Sequence, residues 1–313
     1  MTVLQQVLFE VDGHYLGHPY FVSGNAIYNA LARRVDDDAR RSLHVSHGMF
    51  VPGEYGEYPV GHSQEGYAGK LGMSLPEVGA YEDLFVFRDS AQRWLLDSRP
   101  RDAHNTHDLA NHGGRLAFTD SVQFARPEEM RAHTRTMSWF LHCYLHTQGD
   151  DSVLPLDEAT LDGVRVGAAR NYGFGELSVA DTQLVELDDL DYSGLDDASQ
   201  YQLEVVSPYV LGSGSPHGDS QAVPWWWDVP SDVSGGLRRR TGRLVDGGDT
   251  YELDLVDHGQ VVRYGGDRPV ETAVNGVLRV GTHSRLGFGE FRLRPAGRDR
   301  VSARSEAVVG GDE

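Results

Sequence analysis

The feature that most constrains this chain is a repeat. The segment VGAARNYGFGE, Val166–Glu176, returns in altered form as VGTHSRLGFGE, Val280–Glu290. Each copy is Val-Gly, five residues, then Gly-Phe-Gly-Glu, followed by a strand-like tail. A Gly-Val pair precedes both, at Gly163-Val164 and Gly276-Val277, and each loop contains an arginine, Arg170 or Arg285. A four-residue match alone means little. The extended match points to two related units, each ending in strand, Gly-rich turn, strand. A chain of 313 residues accommodates two domains of roughly 150 residues each.

The rest of the chain fits around these loops. Val3, Leu4, Val7, Leu8, Phe9 and Val11 read as a strand, and Asp12-Gly13 as a turn. Ser23-Gly24-Asn25 is a helix start, and Ala26, Ile27, Ala30, Leu31 and Val35 follow at helical spacing. Gly48 to Gly79 shows little periodicity and reads as a long loop or irregular β segment. A second helix is predicted over Pro127–Thr147, with Pro127 in its first turn and Glu128 and Glu129 at the positive end of its dipole. The acid-rich stretch Glu186–Asp197 marks a boundary, and Tyr201 opens a second unit with a strand.

Charge narrows the function classes. The formal net charge is −19, from 47 acids and 28 bases, and the bases are 27 arginines and a single lysine, Lys70. An Asp-rich, Lys-poor surface is that of a salt-adapted, halophilic protein, although a GC-rich genome also favours Arg over Lys. Such a balance argues against non-specific DNA coating and leaves local arginine clusters free to bind nucleic acid. One cysteine, Cys143, excludes an internal disulfide and a multi-cysteine zinc site. With no long apolar run and no basic, cleavable leader, the chain is expected to be cytoplasmic, off the membrane. No P-loop, Rossmann fingerprint or G-x-S-x-G elbow occurs.

A glycine-rich loop of the form G-x(5)-G-aromatic-G-polar resembles the signature of the CRISPR-associated RAMP superfamily, whose members are built from ferredoxin-like, RRM-like domains, often two in tandem. The openings of both halves are similar to the family as well: GHPYFVSGNAIYNALARR (Gly17–Arg34) and VVSPYVLGSG (Val205–Gly214). The resemblance implies an α+β chain of two tandem ferredoxin-like domains with antiparallel sheets. The expected division is residues 1–195, with long insertions, 196–300, and a disordered tail over 301–313. It also implies RNA binding. Glycines let a backbone approach phosphate closely, and successive N–H groups form an anion nest. The residues concerned are Gly167, Arg170, Gly173, Phe174 and Gly175 in the first loop, and Gly281, His283, Arg285, Gly287, Phe288 and Gly289 in the second. Phe174 and Phe288 would stack on a base or anchor the loop in the core. Arg238, Arg239 and Arg240 are the phosphate-contacting run outside the loops, or a solvated hairpin tip balancing nearby acids.

Repeat-cleaving ribonucleases of that superfamily use an N-terminal-domain histidine, with Tyr and Lys nearby, as a metal-independent acid–base set. Here Tyr28, His44 or His47, and Lys70 would fill those roles; the alternative is that the histidines are hydrogen-bonded strand residues. His142 and His146, flanking Cys143, would face one side of the predicted helix, where they could bind zinc if a third ligand arrived or lie on the polar edge of a packed helix. His104, His107 and His112 sit in a polar stretch without periodicity, by default solvated. Trp225–Trp227 cannot all face one way on a strand, so at least one is expected at the surface or an interface. The expected function is a CRISPR RNA-binding subunit of a ribonucleoprotein effector, with RNA and other effector-complex subunits as partners and no metal or cofactor. The alternatives are a repeat-processing endoribonuclease and a structural protein that kept the fold without binding RNA.

Overall fold

The computed structural model describes residues 2–12, 15–18, 21–53, 55–58, 61–66, 68–70, 72–88, 116–118, 122–123, 136–148, 153–196, 198–229 and 236–296. The tail over 301–313, residues 127–135 and the histidines at 104, 107 and 112 lie outside the described residues.

The first sheet is formed around β1 (Val3–Asp12). Helix α1 (Gly24–Leu31) follows, capped by the Ser23 side chain, which accepts from the Ala26 N–H. A second helix, α2 (Asp37–Ser42), has acids in its first turn and arginines in its last, matching its dipole. Next come β2 (Leu43–Val45) and β3 (Gly48–Pro52), then β4 (Trp139–Thr147), helix α3 (Glu158–Leu161) and β5 (Glu176–Glu186). The order β5-β1-β4-β3, with β2 also on β4 and every pair antiparallel, is the 4-1-3-2 order of a ferredoxin-like β-α-β-β-α-β unit. Gly48–Gly79 is the irregular β segment, holding β3 and a ribbon of Tyr55–Glu57 against Ala68–Lys70.

The second unit repeats that order. It contains β6 (Tyr201–Val205), β7 (Tyr209–Ser213), β8 (Trp227–Asp228), β9 (Arg239–Asp246), β10 (Asp249–Val256), β11 (Val261–Tyr264), helix α4 (Pro269–Leu278) and β12 (Phe291–Pro295). Its sheet runs β12-β6-β11-β8, again 4-1-3-2. It departs from the ferredoxin-like plan in two places, one of them the β9–β10 hairpin inserted between β8 and β11. Between β6 and β8, where the plan has a helix, the chain makes β7, which joins the β9–β10 hairpin in a separate sheet.

The predicted helix over Pro127–Thr147 is corrected by the structure, in which Trp139–Thr147 is strand β4. Both faces of β4 are covered, so the period-two signal disappears and a continuous apolar run remains. Trp139, Leu141, Cys143 and Leu145 face the core under α1 and α3. His142, Tyr144 and His146 face the other side, where the 81–88 segment and the second unit pack. On a strand, four residues span about 13 Å, so His142 and His146 cannot share one metal ion. No group of three or more metal-ligating side chains occurs among the described residues. Among them, too, no helix is long and apolar enough to cross a membrane.

The units share a core. Leu4 and Tyr144 of the first sheet, Tyr81, Leu84 and Phe85 of the insertion, and Leu203, Val205, Phe291 and Leu293 of the second sheet form one cluster. Leu187, Leu190 and Leu195 of the acid-rich stretch belong to it, so that segment points its leucines inward while its acids stay outside. The Asn25 side chain also pairs with the backbone of Val245 in both directions (2.9 and 3.0 Å), covering an exposed strand edge.

Candidate nucleic-acid interface

The two Gly-rich loops have the same backbone. Each is entered through a left-handed glycine, Gly167 (φ 82°) or Gly281 (φ 87°). Each then places a non-glycine in the same region, Ala169 (φ 58°) or His283 (φ 61°), before a single 3-10 turn, Arg170–Tyr172 or Ser284–Leu286. Each leaves through a second left-handed glycine, Gly173 or Gly287. The bases close alike, Val166 N–H to Gly175 O at 2.9 Å and Val280 N–H to Gly289 O at 3.1 Å. A Cβ on Gly175 or Gly289 would lie 1.9 or 2.0 Å from the Val166 or Val280 carbonyl oxygen, so only glycine fits. The two arginines are not equivalent, because Arg170 stands opposite Ser284 and Arg285 opposite Asn171.

The first loop lies at the surface. Arg170, Asn171, Tyr172 and Gly173 are exposed, and Tyr172 keeps 79% of its surface. Behind the apex, Ala168 N–H donates to Leu16 O at 2.8 Å, and the solvent-facing Arg165–Glu176 pair flanks the base. The apex therefore offers solvent an aromatic face, an amide and a guanidinium on a backbone held from below.

The second loop is pressed into the seam between the units. A Cβ on Gly287 would lie 2.4 Å from His47 Nδ1, and one on Gly24 would lie 2.6 Å from Leu286 O. Phe288 is 4% exposed and meets the His47 ring edge-on at 5.2 Å. Arg285 lies over the Tyr28 ring and donates to the Tyr28 hydroxyl and to Arg40 O. His283 Nε2 is 2.8 Å from Ser213 Oγ, and burial lowers its pKa. Glu290 is wholly buried and accepts from both Nε and Nη2 of Arg88, which also donates to His47 O and stacks on Tyr144.

These contacts place the remaining candidates. The Tyr28 hydroxyl donates to Arg40 O at 2.9 Å. His47 is 1% exposed, its Nδ1 accepts from Gly24 N–H, and burial with the neighbouring Arg88 charge holds its pKa well below the usual range. His44 faces His146 across the β2–β4 ladder, ring centroids 4.6 Å apart, and burial lowers its pKa to about 4. Lys70 pairs with Tyr55 in the separate ribbon. So Tyr28 is joined to Arg285, and His47 to Phe288, whereas His44 belongs to a different contact set. Arg238 donates to His258 O, and Arg239 and Arg240 lie 3.8 and 3.1 Å from Asp254 and Asp257. That run opens the β9–β10 hairpin at its base rather than at its Gly247-Gly248 tip. Trp225, in the turn that leads into β8, is 80% exposed while Trp227 on the strand is buried, so the aromatic block does reach the surface. Sequence reading missed Arg88, the partner of Glu290, because nothing in local spacing links residues two hundred positions apart.

No protein-family model matches the chain, and no curated protein matches it. Among solved structures it is similar to one described as "An RAMP protein binding different RNA substrates", at 12% identity and TM-score 0.37, covering 94% of this chain and 99% of that one. It is also similar to "CRISPR associated protein Cas6", at 9% identity and TM-score 0.38, covering 93% and 98%. A third is a CRISPR protein from Archaeoglobus fulgidus, at 9% identity and TM-score 0.28, covering 85% and 93%.

Proposed function

We propose that this protein binds single-stranded RNA, with the apex of the first Gly-rich loop as its principal grip, and that it serves as a CRISPR RNA-binding subunit. The observation that carries this reading is the exposed Arg170-Asn171-Tyr172 apex on a rigid left-handed, 3-10, left-handed frame. A solvent-facing tyrosine provides a stacking platform for an unpaired base, and the adjacent guanidinium meets a phosphate without distant charges. This suits a chain of net charge −19, because binding through one local arginine and a π-face survives screening better than binding through a broad basic field. Arg285 and Phe288 of the second loop act as structure in this reading.

The test is to purify the protein from its native host at high salt and sequence the RNA that accompanies it. Short RNAs sharing a repeat-derived end are the expected result, and loss of that RNA in the Arg170→Ala, Tyr172→Ala double variant ties it to the first loop. A protein that carries no enriched RNA contradicts the proposal and favours a structural role.

A further inference from the structure

We propose that a small monovalent anion, chloride or bromide, binds beside Arg279 and His44 in the seam between the units and supplies a charge that the surrounding side chains lack. The inference stands apart from what the first loop binds. Arg279 follows helix α4 and is 5% exposed. Its backbone sits at φ 67° and ψ 142°, which glycine adopts readily and a residue with a side chain does not. The guanidinium bonds hold it there. Nε donates to Ser284 O at 3.1 Å, Nη1 to Val277 O at 3.4 Å and Nη2 to His146 Nδ1 at 2.7 Å. All three acceptors are neutral, and a guanidinium has further N–H groups to give, five in total.

The charges around Arg279 do not balance. Glu290 is the buried carboxylate near it, and both Glu290 oxygens are bonded by Arg88. Burial pulls the pKa of Arg279 down to about 10, so it stays cationic at neutral pH. His44, His47 and His146 are neutral there, because burial and then the neighbouring guanidiniums depress all three. Burial pushes the Cys143 thiol up to about 12, so it is neutral as well. Arg88, Arg279 and Glu290 therefore leave one positive charge in the interior. Carbonyl oxygens and the negative end of α4 solvate that charge without a whole counter-charge. An unbalanced buried charge is destabilising, and an anion relieves it. His44 provides a second donor and a way in. Its ring stands against His146, to which Arg279 is bonded. Its Nδ1 is buried with no hydrogen-bond partner, while the ring is half-buried and hydrogen-bonded by the exposed Gln148 amide. With its proton on Nδ1, the imidazole donates to an anion that also meets Arg279. One unbalanced charge calls for a monovalent anion, and so buried a site calls for a small, weakly hydrated one, a halide rather than a phosphate.

The experiment follows urea unfolding of the full chain as sodium chloride replaces sodium gluconate at constant ionic strength. The midpoint should rise with chloride and saturate, as a ligand bound only by the folded state requires. Bromide should act as well as chloride, although general salt effects rank it as the more destabilising ion. His44→Phe keeps the ring stack, removes Nδ1 and should weaken the apparent chloride affinity about tenfold. Arg279→Gly suits the backbone, deletes the charge and should abolish the chloride response. Arg268→Gln, an exposed arginine at the start of the same helix, should keep it. Crystals of the parent grown in bromide locate the ion independently of any variant, with an anomalous peak expected in contact with the Arg279 guanidinium and His44 Nδ1. A midpoint that does not respond to chloride overturns the proposal, and a bromide peak without that response marks an adventitious ion only. A response that survives Arg279→Gly, a bromide peak elsewhere, or a saturable rise with phosphate and none with chloride overturns the assignment of the site.

Discussion

Ala169 and His283 occupy the same left-handed corner of the same turn, yet they lead to opposite surroundings. After Ala169 the chain puts Arg170, Asn171 and Tyr172 into solvent; after His283 it packs Ser284, Arg285 and Leu286 against Gly24, His47 and Tyr28. The closing glutamates differ in the same sense, Glu176 pairing with Arg165 at the surface and Glu290 with Arg88 in the core. Glycine fixes the backbone of both loops, and the neighbours decide whether a loop presents side chains or braces the fold. A duplicated motif thus carries one conformation and two jobs.

The glutamates give the widest separation. Glu290→Ala strands a buried guanidinium and should cost about 3–5 kcal/mol of stability, whereas Glu176→Ala, which loses a solvent-facing pair, should cost at most about 1 kcal/mol. Urea unfolding of the two variants checks this, and equal costs would break the comparison. Acid should act on the second loop's surroundings next. Burial, then nearby guanidiniums, lower the folded-state pKa of His44 to about 4 from 6.5, and depress those of His47 and His146 further. The unfolded chain binds those protons first, so stability should fall as pH drops from about 6.5 toward 4. Thermal unfolding followed across that window reads the slope, and His44→Gln should reduce it while His47 and His146 keep their share.

Smaller still is the contrast at the exit glycines. Gly173→Ala meets open space and pays only for its left-handed φ, about 1–2 kcal/mol, while Gly287→Ala adds a collision with His47 and should cost more. Gly175→Ala and Gly289→Ala, each striking its own loop's carbonyl at nearly the same distance, should be equally damaging. Unequal losses at that second pair would mean the two frames are less alike than their dihedral angles.

The duplication was legible in the sequence because glycine positions at fixed spacing record backbone geometry directly. Helix α1 was legible for a similar reason, since Ser23 is a cap and Ile27 and Leu31 mark one face. Strand β4 was hidden because both its faces are buried, so Trp139–Thr147 shows no alternation to read. The split between the loops was hidden as well. Arg170 and Arg285 look alike in the chain, and only the arrival of Gly24 and His47 against Gly287 distinguishes them.

The most direct measurement of this division of labour is a pair of variants, Tyr172→Ala and Arg285→Ala, each assayed for single-stranded RNA affinity and for unfolding free energy. Tyr172→Ala should weaken RNA binding by about 1–3 kcal/mol, the value of one stacked base, with stability unchanged. Arg285→Ala should lower stability and leave the affinity of the folded protein near that of the parent. The reverse pattern, with RNA lost through Arg285 and untouched by Tyr172, would contradict the account.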